Sequence, residues 1–181
     1  MRLRPYRQSD AEGIGCWIED ALTHANWCAN ILPYPFDAQA FETNRKEGER
    51  KWANSCFTAA DDSGRQIGYF HMGMDHIENA AFLGFVIVDR RMRGKGHGLQ
   101  MIKLAIRYAF ELADVEKVKL MVFDRNEPAI KCYIKAGFAI TEHIENCFVF
   151  QDRTWGKYVM EIFRERIHST EKKCLQMQAE P

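Results

Sequence analysis

An α/β fold is predicted for this chain of 181 residues by three features of its sequence. Strand-type and helix-type patterns alternate along its length. Ala80 to Val88 is an uncharged, largely β-forming run, which suits a strand covered on both faces. That run passes directly into a basic glycine loop and then an amphipathic helix, as a sheet strand hands the chain to a covering helix. The length is enough to bury one core and short for two full-sized domains. Residues 1–164 are therefore expected as a single domain, followed by a polar tail over 165–181.

The elements follow in order. Arg2 to Tyr6 has a short strand pattern, and Ser9-Asp10-Ala11-Glu12 then caps a helix expected over Asp10 to Ala21. Thr23 to Phe36, with Trp27, Pro33, Tyr34, Pro35 and Phe36, reads as an aromatic loop, because its prolines forbid a long helix. Asp37 caps a second helix running to about Trp52. Phe57-Thr58-Ala59 and Ile67-Gly68-Tyr69-Phe70 are strands joined by the turn Asp61-Asp62-Ser63-Gly64. Beyond the glycine loop, Leu99, Ile102, Ala105, Ile106, Ala109 and Phe110 recur at helical spacing, with Lys103, Arg107 and Glu111 on the opposite face. Val118, Leu120 and Val122 alternate with Lys117 and Lys119 as a strand, and Asn126 caps a short helix ending at Gly137. Two β-rich runs, about Ala139 to Phe150 and Lys157 to Phe163, close the fold.

Composition narrows the partners. Lys plus Arg and Asp plus Glu both number 25, so the formal net charge is zero, which argues against a nucleic-acid or anionic-membrane binder. No apolar run is long enough for a membrane span, and no apolar stretch follows the basic amino terminus as a secretory signal would require. A cytoplasmic location is expected. The six cysteines show no CxxC spacing and read as reduced thiols, so no metal is expected.

The glycine loop carries the first chemistry. Between Asp89 and Gly98, four basic residues stand against one acid, and Gly94, Gly96 and Gly98 let backbone N–H groups converge on an anion. The helix that follows adds the positive end of its dipole. The spacing narrows the ligand: Gly94-Lys95 is followed by Gly96 where a P-loop needs Ser or Thr, and a dinucleotide fingerprint would need glycine in place of Leu99.

The segment Arg93-Gly94-Lys95-Gly96-His97-Gly98, preceded by Phe85-Val86-Ile87-Val88, resembles the acetyl-CoA signature of the GNAT N-acetyltransferase family. A second family motif follows, with Asn126, Ala129, Tyr133 and Gly137-Phe138 at the expected spacing. The resemblance implies a mixed, mostly antiparallel central sheet of about seven strands with helices on both faces. It implies that backbone N–H groups of residues 93 to 98 bind the CoA pyrophosphate. Main-chain groups at Phe85, Val86 and Val88 would meet the pantetheine and thioester, in a slot opened where their strand splays from Lys117 to Phe123. Asn126 would hydrogen-bond the cofactor, and Tyr133 would protonate the leaving thiolate. The implied function is acetyl transfer from acetyl-CoA to the primary amine of a small molecule or peptide by direct attack, with a homodimer left open. A CoA-binding regulatory module without turnover is the alternative, and nucleotide binding through the loop a weaker third reading.

The base departs from the family pattern. Many relatives carry a glutamate in the central strand, but Ala80-Ala81-Phe82-Leu83-Gly84-Phe85 has no carboxylate. His71, Asp75, His76 and Glu78 are available to act through water, or form a solvated hairpin. Deprotonating a lysine-like amine at pH 7 costs about 4.6 kcal/mol and an α-amine about 1 kcal/mol, so a missing strong base leans toward an α-amine. Ser9 to Glu42 holds six acids, Asp10, Glu12, Glu19, Asp20, Asp37 and Glu42, and no Lys or Arg. They either cap helices and line solvated faces or attract a cationic amine. Trp27, Tyr34 and Phe36 either wall an acceptor pocket or cover the core, and His24 reads as a surface loop residue.

Overall fold

A computed structural model describes residues 1–165 of the chain. Its strands are β1 (Arg2–Pro5), β2 (Ser55–Ala60), β3 (Gln66–Asp75), β4 (Ala80–Val88), β5 (Lys117–Phe123), β6 (Ala139–Phe150) and β7 (Arg153–Phe163). Its helices are α1 (Ala11–Cys16), α2 (Ala21–Cys28), α3 (Ala38–Trp52), α4 (His97–Glu111) and α5 (Glu127–Ala136). The strands form one sheet in the order β1-β2-β3-β4-β5-β7-β6. Every neighbouring pair is antiparallel except β4 and β5, which run parallel and are joined by the α4 crossover. The expected α/β fold, with about seven strands and helices on both faces, is what the chain forms. The expected polar tail lies outside the described residues from 166 onward.

Each face of the sheet has its own core. On one, α4 lays Met101, Ile102, Ala105, Ile106 and Ala109 against Phe70, Met72, Leu83, Val118 and Leu120, with Tyr133 and Phe138 alongside. On the other, α1 to α3 place Ile14, Trp17, Trp27 and Phe41 over Tyr69 and Ile87. Strands β3 and β4 are thus covered twice, which is why Ala80 to Val88 holds no charge. Each large apolar side chain buried this way contributes roughly 1.5–3 kcal/mol.

Two expected boundaries are wrong near the amino terminus. The helix expected over Asp10 to Ala21 ends at Cys16, and the supposed loop from Thr23 begins as α2. The Asp20 side chain accepts the Thr23 N–H at 2.6 Å and starts a new helix, which Ala29 closes in the left-handed region at φ 51°. Pro33 and Pro35 come after that helix and never interrupt it. Asp37 caps α3 as expected, accepting from Ala40 N–H at 2.7 Å. Among the described residues no helix is long and apolar enough to cross a membrane.

Asp10 ties this first segment to the sheet. Its buried carboxylate takes both Arg4 guanidinium nitrogens at 2.7 and 2.8 Å, the Arg7 N–H at 2.9 Å and the Thr58 hydroxyl at 2.7 Å. Removing one partner of a buried charged network leaves the others unpaired. Asp10→Ala is expected to destabilise the protein by about 3 kcal/mol. That is a fall of about 6–12 °C in Tm, read by differential scanning calorimetry.

Candidate active site

The site begins where two strands stop pairing. Strands β4 and β5 are in register for four residue pairs, Ala80 to Leu83 against Lys117 to Leu120. Beyond these, β5 continues along β7 to Phe123 and β4 continues along β3 to Val88, so the two facing edges part. A bulge in β4 directs the split. On β3, one residue lies between Tyr69 and His71, while two, Phe85 and Val86, lie between their partners Gly84 and Ile87 on β4. Phe85 absorbs the extra residue at φ 52°, a conformation rare for a bulky side chain. Trp27 of α2 holds it there, donating Nε1–H to the Phe85 carbonyl at 2.8 Å with the two rings edge to face at 5.2 Å.

The parted edge of β4 is available to a ligand. Asp89 N–H donates to the Ile67 carbonyl at 2.9 Å, so strand alternation turns the main-chain groups of Val88 away from β3 and into the slot. The Val88 carbonyl accepts from Arg93 Nε at 3.1 Å, which leaves its N–H. Val86 lies within the bulge and has no register partner on β3.

Past β4 the glycine loop forms a cradle. Gly94 and Gly96 have φ of 72° and 83°, which side-chain-bearing residues adopt only with strain, and no atom lies within 4 Å of where their Cβ atoms would be. Helix α4 starts at His97 with Gly96 at its N-cap and no side chain capping it, so its first amides face outward. Gly98 sits between Val88 Cγ2 and Cys132 Sγ, each 3.7 Å from its would-be Cβ, bringing β4, α4 and α5 together. The cations here mostly brace the loop. Arg93 sends Nη2 to the Trp17 carbonyl at 3.0 Å and its own N–H to the Arg90 carbonyl at 3.3 Å, and Lys95 Nζ reaches the Arg91 carbonyl at 2.9 Å. The amides from Gly94 onward are the groups left for an anion.

On α5, the Asn126 side chain accepts the Ala129 N–H at 3.4 Å as N-cap, leaving its amide NH2 as a donor. Tyr133 is buried, with its ring 6.1 Å from that of Phe138. Burial, aided by the neighbouring Cys132, pushes its hydroxyl well above the ordinary tyrosine range, so it stays protonated and able to donate.

Of the residues weighed as bases, three are at the wrong place. Asp75 accepts the Ile77 and Glu78 N–H groups, both at 3.0 Å, and closes the β3–β4 hairpin. Glu78 is paired with Lys117 at 2.7 Å and with Lys119, whose hydrogen bonds and charges lower its pKa to about 2. His76 is exposed in the same hairpin, at the end of β4 remote from the split. His71 is different: it stands inside β3, opposite Gly84. A Cβ at Gly84 would collide with its Nε2, and its ring centroid is 5.0 Å from that of Phe85. It shares a cleft of about 10 Å³ with Phe41, Asn44, Arg45, Asn54, Cys56, Tyr69 and Phe85. Burial lowers its pKa from 6.5 to about 4. A solvated hairpin, one of the two readings for all four, thus fails for His71, because β3 runs on to Asp75 and holds the imidazole over Gly84 beside Phe85, partly buried.

The acid-rich segment is mostly engaged in structure. Asp10 is in the network above, Asp20 and Asp37 cap helices, and Glu19 pairs with Arg90 and, at 3.8 Å, with Arg93. Glu42 pairs with Arg45 at 3.1 Å and takes the Tyr6 hydroxyl, while Glu12 is exposed. His24 is not a surface loop residue. It is buried in α2, with Nδ1 3.2 Å from Asn30 Oδ1 and Nε2 3.4 Å from Cys28 Sγ. Trp27 and Phe36 belong to the core around α2 and α3, whereas Tyr34 is half exposed against His24.

A sheet that parts at a parallel pair, a bulge facing the gap and an uncapped helix behind a glycine loop define a CoA-dependent acyltransferase. The chain belongs to the acetyltransferase (GNAT) family, whose profile matches residues 19–138. It is 23% identical over 171 residues to a spermidine N(1)-acetyltransferase of Escherichia coli, covering 92% of this chain and 87% of that protein. A spermine/spermidine N(1)-acetyltransferase of Bacillus subtilis is 30% identical over 71 residues, covering 39% of this chain and 47% of that one. The Vibrio cholerae spermidine N-acetyltransferase in complex with CoA and spermine has the same fold, with a TM-score of 0.79 at 21% identity over 91% of this chain and 95% of that one. The protein is an acetyl-CoA-dependent acetyltransferase of that family.

The depressed His71 pKa couples folding to pH. The unfolded imidazole gains its proton near pH 6.5 and the native one only near pH 4, so the unfolded chain binds more protons between them. This contribution is complete above about pH 6.5 and declines as pH falls toward 4, by at most about 3 kcal/mol. His71→Gln is expected to flatten the fall of Tm between pH 7 and pH 5 relative to the parent.

Proposed function

We propose that the acetyl group passes directly from acetyl-CoA to the primary amine of a small molecule, with Tyr133 as general acid. The parting of β4 from β5 beside the bulge at Phe85 carries this reading, because it makes a slot between the sheet's two cores in which a thioester can lie. The amides of Gly94 to Gly98 bind the pyrophosphate, Val86 and Val88 bind the pantetheine through main-chain groups, and Asn126 donates its amide to the cofactor. Attack on the thioester builds charge on the carbonyl oxygen and then on sulfur. The main chain at the bulge is placed for the first, and the Tyr133 hydroxyl supplies a proton for the second.

The names of the relatives make polyamines the first acceptors to try. The internal pairing of Asp10, Glu19 and Glu42 in this chain favours a second reading, an acceptor that carries a single cationic amine and lies against the half-exposed Tyr34. Thiol release from acetyl-CoA against spermidine, spermine, aromatic monoamines and peptide α-amines separates the two. For whichever acceptor is used, Tyr133→Phe is expected to lower kcat about 100-fold and leave the KM for acetyl-CoA within about threefold. Thermal stabilisation by acetyl-CoA without thiol release from any acceptor would favour a binding module instead.

A further inference from the structure

We infer that His71 receives the proton of the attacking amine, through one water held in the cleft beside the split. This rests on the acetyl-transfer reading above. Leu83 is the last residue of β4 paired to β5, Gly84 is the first beyond it, and the His71 imidazole occupies the space that a side chain on Gly84 would fill. A titratable group from the neighbouring strand therefore stands at the vertex of the opening, in contact with the bulge residue Phe85. Among the described residues the imidazole has no hydrogen-bond partner, so both ring nitrogens are left for a solvent molecule or ligand.

The surroundings single out this ring. Asn44, Arg45 and Asn54 line the cleft together with the rings of Phe41 and Phe85, and its volume, about 10 Å³, is room for one water. Of the other titratable groups lining it, Arg45 is a permanent cation held by Glu42 and Glu49 at 3.1 and 3.2 Å. Cys56 accepts the Tyr69 hydroxyl at 3.2 Å, and burial keeps both in their protonated forms. The imidazole is kept neutral by the same burial and offers the one lone pair able to take a proton here.

The amine nitrogen bonds to the acetyl carbon, the carbon–sulfur bond breaks and its electron pair leaves on sulfur. The proton lost by nitrogen moves through the water to the imidazole, and the thiolate takes its proton from the Tyr133 hydroxyl. The imidazolium then gives the first proton up to solvent and solvent reprotonates the Tyr133 phenolate, so the enzyme ends unchanged.

The test uses the full chain, acetyl-CoA and an acceptor that supports thiol release. His71→Ala and His71→Gln are each expected to lower kcat about 100-fold, with the KM for acetyl-CoA unchanged within about threefold. Added imidazole is expected to restore His71→Ala about tenfold and to leave Tyr133→Phe untouched. Gly84→Ala, which displaces the ring while keeping it, is expected to reproduce the loss and covers the case in which His71→Ala does not fold. A kcat within about threefold of the parent in His71→Gln, or a loss in His71→Ala that imidazole does not relieve, would overturn the inference and leave acetyl transfer standing. Absence of thiol release from the parent with every acceptor would instead remove the transfer reading and this inference with it.

Discussion

The structure turns on one unpaired edge. A strand in the middle of a sheet ordinarily satisfies its N–H and C=O groups on both sides, and leaving a row of them open inside a protein is costly. Here β4 gives up its partner after Leu83 and keeps only β3. The strain at Phe85 and the hydrogen bond from Trp27 hold that arrangement in place. What would be a defect in a structural sheet is a binding edge for an extended ligand with its own amides, and pantetheine is such a ligand.

The cradle and the edge are braced from the same direction. Arg93 joins the Val88 carbonyl at the end of β4 to the Trp17 carbonyl just after α1, and Glu19 draws Arg90 and Arg93 toward the α1–α2 connection. Trp27 of α2 then reaches the bulge itself. The first helices thus fix the main-chain positions of the parted edge and the glycine loop. Movement of α2 on acceptor entry would be felt at the Phe85 carbonyl without any intervening loop.

How much of this the sequence disclosed depended on the range of the interaction. The strand, glycine loop and amphipathic helix from Ala80 to Glu111 were legible because their signals are local: absence of charge, paired left-handed glycines, a 3.6-residue apolar period. Asp37 and Asn126 were legible as caps for the same reason. The break between α1 and α2 was missed because one helix was expected through Asp20 to Ala21, although an Asp can equally start a new helix. His71 was legible only as one of four candidates in or after a strand, and its place beside the split was not, because its neighbours Gly84, Phe85 and Cys56 come to it across β-pairings whose register no local pattern states. The bulge that sets that register has no signature in Phe85, a residue ill-suited to positive φ.

Burial acts in opposite directions on the two groups proposed to handle protons. It raises the Tyr133 hydroxyl and lowers the His71 imidazole, and both effects favour the uncharged form. Before reaction, then, neither group brings a charge into the region around the split. Charge arises there only as the thioester opens, when sulfur becomes basic enough to draw a proton from a phenol and the acylating nitrogen becomes acidic enough to yield one to a weakly basic imidazole. A carboxylate in the place of Gly84 would be charged throughout and would need solvation of its own in a sheet covered on both faces. A glycine there, with a neutral ring from the next strand over it, allows the same proton transfer without a standing charge beneath the donor.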